Sequence, residues 1–230
     1  MARRTKDEAL ATRHAILDAA ELLFQQRGVS RTSLQDIAAA AQVTRGAIYW
    51  HFKDKADLFN AMMERATMPF EEAGFACGAG CPDDRDPITF LLERLARVLK
   101  LTVEHEPTRR VFEIATHKVE YVDELLAVRD RRLDCRKECL AEGERVLKVA
   151  AQRRLIALRT PARALVLGLH ALVDGLIQTW MLDTEAFDLV RVGRQVVRSY
   201  VNGMRRPAEP AGAQTGTAVA RKRRERRAQA

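Results

Sequence analysis

Aromatic residues are scarce in this chain of 230 residues, with 8 Phe, 3 Tyr and 2 Trp. Leu, Ala, Arg and Glu are abundant in their place. That balance argues against a β-sandwich or barrel and for an all-α fold. Cysteine is also sparse, with 4 residues, and in a reducing compartment these are expected as free thiols. No apolar run is long and unbroken. The most hydrophobic stretch, Ala164 to Leu182, is interrupted by His170, Asp174 and Gln178, so it reads as a buried helix and not as a membrane span. The N-terminus, MARRTKDEALATRH, is charged and lacks the apolar segment of a secretory signal, which leads us to expect a cytosolic protein. Nucleophile motifs, phosphate-binding glycine loops and metal triads are missing as well. His170 and Asp174 form the one grouping that resembles an acid/base pair, and without companions it does not make an enzyme. No cofactor or bound metal is expected.

Charge is abundant but unevenly distributed. Residues 1–55 carry nine Lys/Arg against six Asp/Glu, residues 56–204 carry 22 against 23, and residues 205–230 carry eight against two. Basicity therefore sits at the two ends around a balanced middle, a pattern that suits an anionic partner for the N-terminal segment.

Periodicity divides the chain into about nine helices without a convincing strand. The first runs from about Lys6 to Arg27, with Ile16, Ala19, Ala20, Leu23 and Phe24 on one face and Gly28 at its C-terminal end. Thr32 followed three positions later by Gln35 has the form of a capping box for a short second helix through Leu34, Ile37 and Ala38. Gln42 and Val43 make a tight connection, Thr44 caps again, and Arg45 to Phe52 form a third short helix before Asp54 caps a fourth. Two short helices joined by a three- or four-residue turn are a helix-turn-helix.

Met68-Pro69 should kink or end the fourth helix, and residues 74–85 read as a loop. Asp86-Pro87 opens a helix to about Glu104, Pro107 a shorter one to about Lys118, and Val122 a long one to about Arg153. Thr160-Pro161 starts a helix to Leu182, and the last runs from about Glu185 to Met204. From Arg205 onward, Pro, Ala, Gly and the block RKRRERR predict a disordered basic tail, read as a solvated charge run with independent binding to nucleic acid or a membrane surface as the alternative. The domains expected are thus 1–55, 56–204 and the tail 205–230.

Residues 32–55 carry what a DNA-reading element needs: a short helix for the major groove with phosphate contacts on both sides. Thr32, Ser33 and Gln35 sit at a helix N-terminus, where unpaired N–H groups favour a phosphate, and Thr44 caps the recognition helix. Arg45 has the reach for guanine O6 and N7, Gly46 allows a close backbone approach, and Ala47 can touch a thymine methyl. Tyr49, Trp50 and His51 add ring or phosphate contacts, and Lys55 is a point charge for the flanking phosphate. Ile48 and Phe52 should face inward onto Ile37 and Phe24.

TSLQDIAAAAQVTRGAIYWHFKDKADLF resembles the N-terminal signature of the TetR family of repressors, through Thr32, Ile37-Ala38, Val43, Gly46, Tyr49-Trp50-His51-Phe52 and Lys55. The opening RRTKDEA and the run TRGAIYWHF further resemble the AcrR/TtgR-like subgroup, regulators of multidrug efflux pumps. Close similarity covers about a quarter of the chain. The resemblance implies a three-helix DNA-binding domain on a larger ligand-binding and dimerisation domain, a homodimer formed by the last two helices, a pseudo-palindromic double-stranded operator, and derepression by a small hydrophobic or cationic effector.

His170, Asp174 and Gln178, at i, i+4 and i+8, put a polar stripe on an otherwise apolar helix. Unpaired and buried, each would cost about 1 to 3 kcal/mol, so they must meet partners or a ligand. Glu113, Thr116 and His117 offer comparable spacing on the sixth helix, and the resemblance implies that these two helices line the effector pocket. The polar trio could instead satisfy itself or cross a dimer interface. Cys77/Cys81 and Cys135/Cys139 form two C-x3-C pairs whose spacing leaves a metal or redox trigger open beside packed, reduced thiols.

Overall fold

The computed structural model describes residues 6–72, 80–122 and 125–205. Among them are nine helices: α1 (Lys6–Arg27), α2 (Leu34–Ala40), α3 (Arg45–His51), α4 (Lys55–Glu72), α5 (Pro87–Glu104), α6 (Glu106–His117), α7 (Leu126–Gln152), α8 (Ala162–Leu182) and α9 (Leu189–Asn202). The only β pairing among the described residues is an isolated bridge between Ile156 and Arg205. The all-α expectation therefore holds. Cys77 and the basic tail lie outside the described residues.

Helix ends follow local chemistry. Gly28, at φ +83, takes the left-handed conformation that closes α1. The cap of α2 differs from expectation: Ser33 and Asp36 make the box, the Ser33 hydroxyl accepting from Asp36 N and the Asp36 carboxylate accepting from Ser33 N at 2.9 Å. Thr32 is excluded from this role because its own hydroxyl donates to Gly28 O at 2.8 Å, and Gln35 is exposed. Gln42 turns the chain at φ +54, and Thr44 caps α3 by accepting from Ala47 N. Asp54 caps α4, accepting from Asp57 N at 2.8 Å. Contrary to expectation, α4 continues past Pro69 to Glu72. A proline removes one intrahelical hydrogen bond, and this one falls within the last turn, after Leu58, Phe59, Met62 and Ala66 have anchored the helix. α9 starts later than expected, at Leu189, because Asp188 caps it by accepting from Arg191 N.

The helices enclose two cores. In the first, Ile16, Phe24, Ile37, Ile48, Phe52 and Phe59 pack with Val111 and Ile114 of α6 and Val128 of α7. This core does not stop at residue 55; it joins the first three helices to α4 and α6. In the second, Leu99, Leu147, Val166, Leu169, Val173, Ile177, Val197 and Val201 join α5, α7, α8 and α9. Two glycines set the close approaches. A Cβ at Gly143 of α7 would lie 2.8 Å from Val166 Cγ1, and one at Gly193 of α9 would lie 2.5 Å from Leu99 Cδ1. Beside this core Arg94 and the buried Glu142 form an ion pair at 2.5 Å, and Glu142 also accepts from Gly80 N. Removing one partner of such a pair costs about 3 to 5 kcal/mol, since the other charge stays buried.

α8, read from the sequence as a buried helix, is buried on one face only. Val166, Leu169, Val173, Ile177 and Trp180 face the core. Leu167, Ala171, Gly175, Thr179 and Leu182 are exposed. By length and composition alone this helix could cross a membrane; its core face is instead committed to α7 and α9 packing. The expectation of four reduced cysteines also needs correction. Cys139 is disulfide-bonded, whereas Cys81 and Cys135 are not. The tie from Gly80 N to Glu142 sets Gly80 against α7 one turn from Cys139, a proximity that spacing does not reveal.

Candidate functional site

α3 cannot bury every face, and its inward side is spent on Ile48, with the cap residue Phe52. Thr44, Arg45, Gly46, Tyr49 and Trp50 are exposed and Ala47 half-buried. Trp50 is 71% exposed; an indole left in water at that level is available to a partner. The Arg45 guanidinium lies over the Tyr49 ring, 5.6 Å from its centroid, with Nη2 3.5 Å from the phenol oxygen. That stacking orders a long side chain at the surface. His51 packs edge-on against Trp50, ring centroids 4.5 Å apart, and behind it the Phe52 ring carries Arg13 of α1 at 5.2 Å.

Lys55, 23 residues from Thr32 in sequence, reaches it in space: its Nζ donates to Thr32 O at 3.4 Å. The ammonium thus sits at the exposed N-terminus of α2, with Ser33 and Gln35 beside it. Hydrogen bonds from the Ser33 hydroxyl and backbone hold the Asp36 carboxyl below its ordinary range. Thr32 itself is 1% exposed and ties α2 back to α1, so its side chain has no face toward a phosphate.

In the body, Gln178 Nε2 donates to Asp174 Oδ2 at 3.5 Å. Burial pushes the His170 imidazole below its ordinary pKa, Asp174 opposes this, and Arg136 and Arg132 reinforce it. His170 is therefore within electrostatic reach of α7. Arg132 is itself anchored, donating to Ala115 O at 2.6 Å and to Tyr121 Oη at 2.9 Å at the end of α6. Of the α6 candidates, Thr116 is half-buried and His117 exposed, while Glu113 accepts from Gln25 Nε2 of α1 at 2.9 Å. The structure brings His170, Asp174 and Gln178 together and sends Glu113 toward α1.

Burial pushes the Cys81 thiol up, which disfavours thiolate. Among the described residues no three His, Cys, Asp or Glu side chains converge as metal ligands.

Sequence reasoning passed over Glu21, Arg65 and Arg110. Glu21 is buried in α1, held by Arg65 of α4 and approached by Arg110 of α6. The signal was present: a carboxylate four residues after Leu17 and three before Phe24, on the apolar stripe.

A capped two-turn helix presenting Arg45, Tyr49 and Trp50 to solvent from a three-helix head defines a helix-turn-helix DNA-binding regulator. The chain matches the family model "Bacterial regulatory proteins, tetR family" over residues 16–62 and that for "MAATS-type transcriptional repressor, C-terminal region" over 86–205. It belongs to the TetR family. It is 40% identical to the HTH-type transcriptional regulator AcrR of Shigella flexneri over 197 residues, covering 86% of this chain and 91% of that protein. Its fold matches NalD, the secondary repressor of the MexAB-OprM multidrug efflux pump in Pseudomonas aeruginosa, with a TM-score of 0.78 and 32% identity over 88% of this chain and all of that one. A SmeT–triclosan complex matches with a TM-score of 0.74 and 30% identity, over 86% of this chain and 93% of that one.

Proposed function

We propose that this chain is a cytoplasmic, homodimeric repressor of a multidrug efflux operon, released from its operator by small hydrophobic effectors. The observation that carries the reading is the exposed face of α3, where Arg45 is stacked on Tyr49 above a core that already consumes Ile48 and Phe52. Arg45 is assigned to a guanine O6/N7 edge, Ala47 to a thymine methyl, and Tyr49, Trp50 and His51 to neighbouring groove contacts, with Gly46 allowing close approach. Ser33, Gln35, Thr44 and Lys55 are assigned to flanking phosphates.

The exposed face of α8 supports the dimer. Ala171, Leu172, Gly175, Leu176 and Thr179 line a shallow groove of about 490 Å³ with Phe187, Val192 and Val196. It is apolar, and its small residues let a second copy come close. Two heads related by a twofold axis would meet half-sites about 34 Å apart. The effector site is assigned to the α6–α8 side of the body, with His170, Asp174 and Gln178 as polar anchors and Thr116 and His117 near its rim. Effector binding there changes the placement of α4 and the heads, and DNA must weaken effector binding by the same factor.

Fluorescence anisotropy of full-length protein on the duplex upstream of its own gene, in rising salt and with triclosan and cationic dyes, tests this. Tight, sequence-specific binding lost on adding a compound is the expected result. Binding to all duplexes alike would remove the repressor assignment. A second reading, in which the oxidation state of α7 is the trigger, is favoured by the disulfide-bonded Cys139; release by reductant alone would support it, and a four-serine variant with unchanged induction would discard it.

A further inference from the structure

α6 runs along the reading head and α4 and touches them at successive turns. Thr108 Oγ1 donates to Ala66 O of α4 at 2.9 Å, Glu113 accepts from Gln25 of α1 at 2.9 Å, and Lys118 O accepts from Val29 N at 2.9 Å. Between these neutral or half-exposed ties lies a charge. The Glu21 side chain is 4% exposed; Arg65 Nη2 donates to it, Arg65 Nη1 reaches Asp18 at 2.7 Å, and Arg110 Nη1 stands 3.9 Å from its second oxygen. Burial pushes the Glu21 carboxyl up, against the pull of Arg65.

A pair of apolar side chains would fill the Glu21–Arg65 position without this desolvation cost, because replacing a buried ion pair by hydrophobic residues is often neutral or stabilising. What charge adds is sensitivity to distance, since coulombic energy in a poorly screened site varies steeply over an ångström. Arg110 is placed to use that sensitivity. It is at the limit of contact with Glu21 while its Nη2 is bonded to Glu106 on its own helix. A small shift of α6 moves it toward one carboxylate or the other.

We propose that Glu21, Arg65 and Arg110 form the joint through which the reading head senses the position of α6, with Arg110 as the positioning residue that divides itself between Glu21 and Glu106. The inference rests on the repressor reading above. It assigns the three residues to transmission, not to DNA or effector contact.

Reciprocity makes it testable without knowing the effector, because DNA held by the head must then be felt in α6. The test uses full-length protein and a duplex selected by the wild type from random-sequence DNA. Amide hydrogen exchange of residues 106–118 is followed with and without the duplex. The expected wild-type result is a change of about fivefold or more on binding DNA. Arg110→Met and Glu21→Gln should keep duplex affinity within a small factor yet lose the response of α6, and Arg110→Lys should retain part of it. Glu21→Leu/Arg65→Leu, whose apolar pair keeps the fold, should bind the duplex with no response of α6. A purely structural role would instead raise exchange equally in both states. That outcome, an unresponsive wild-type α6, or a normal response in Arg110→Met would overturn the joint and leave the repressor reading standing. A wild type that selects no duplex would overturn that reading, and the joint with it.

Discussion

Thr32 and Ser33 are adjacent hydroxyl residues at the start of one helix, and the fold gives them different work. Ser33 caps α2 at the surface, while Thr32 is buried with its hydroxyl on Gly28 O. Thr32→Val should therefore lower stability by about 1 kcal/mol, the usual worth of a lost hydrogen bond, and leave duplex preference unchanged; thermal melting and anisotropy check the two halves. Arg45→Ala should do the reverse. Operator affinity should fall by about 1 to 3 kcal/mol with relaxed preference at one base pair, and the melting temperature should stay close to wild type. His170 predicts a pH effect. Its imidazole is held below the ordinary 6.5 by burial, so an unfolded chain takes up this proton before the folded one does. Stability contributed by the neutral ring is intact above about pH 6.5 and declines as pH falls below it. Melting curves between pH 8 and 5 should show a shallower acid decline for His170→Gln; an identical decline would remove the buried-imidazole assignment.

At the scale of elements, most helix boundaries were legible because caps and prolines act locally. Asp86-Pro87 opens α5 and Gly28 closes α1 as their chemistry requires. The misses have physical reasons too. Pro69 does not stop α4, because packing of the preceding turns outweighs one missing hydrogen bond. The α2 box shifted by one residue because the Thr32 hydroxyl is taken by Gly28 O four residues back. Between α2 and α3, Gln42 holds φ +54 without being glycine. A left-handed residue with a Cβ costs about 1 to 2 kcal/mol, partly offset by the extra unfolded-state entropy of glycine. Gln42→Gly is accordingly expected to stabilise the head by roughly 0.5 to 1 kcal/mol, read as an upward shift in melting temperature; a downward shift would mean that the Gln42 side chain supplies a contact of its own.

For the whole molecule, the apolar outer face of α8 is the feature that a monomer leaves unexplained. Ala171 is exposed at the groove shared with α9. Ala171→Arg adds charge and bulk there without touching the core, so light scattering should report monomers, and duplex affinity should drop to that of a single half-site. A dimer of unchanged stability would place the interface elsewhere. The two cores bear on the same question of assembly, since the first one joins head, α4 and α6 into one packed body. Motion of α6 therefore cannot be isolated from the head, which is the packing that the proposed linkage of effector and operator needs.

The sequence by itself determined the helical class, the order of the helices and the outward face of α3, because periodicity, caps and turn residues are properties of neighbours along the chain. It also marked His170, Asp174 and Gln178 as a stripe. Only the tertiary structure decided that Glu113 serves α1 and that Glu21 meets arginines from two other helices. Those assignments depend on which residues, 44 to 89 positions apart, come into contact. Helical spacing carries no information about that, because packing between helices fixes it.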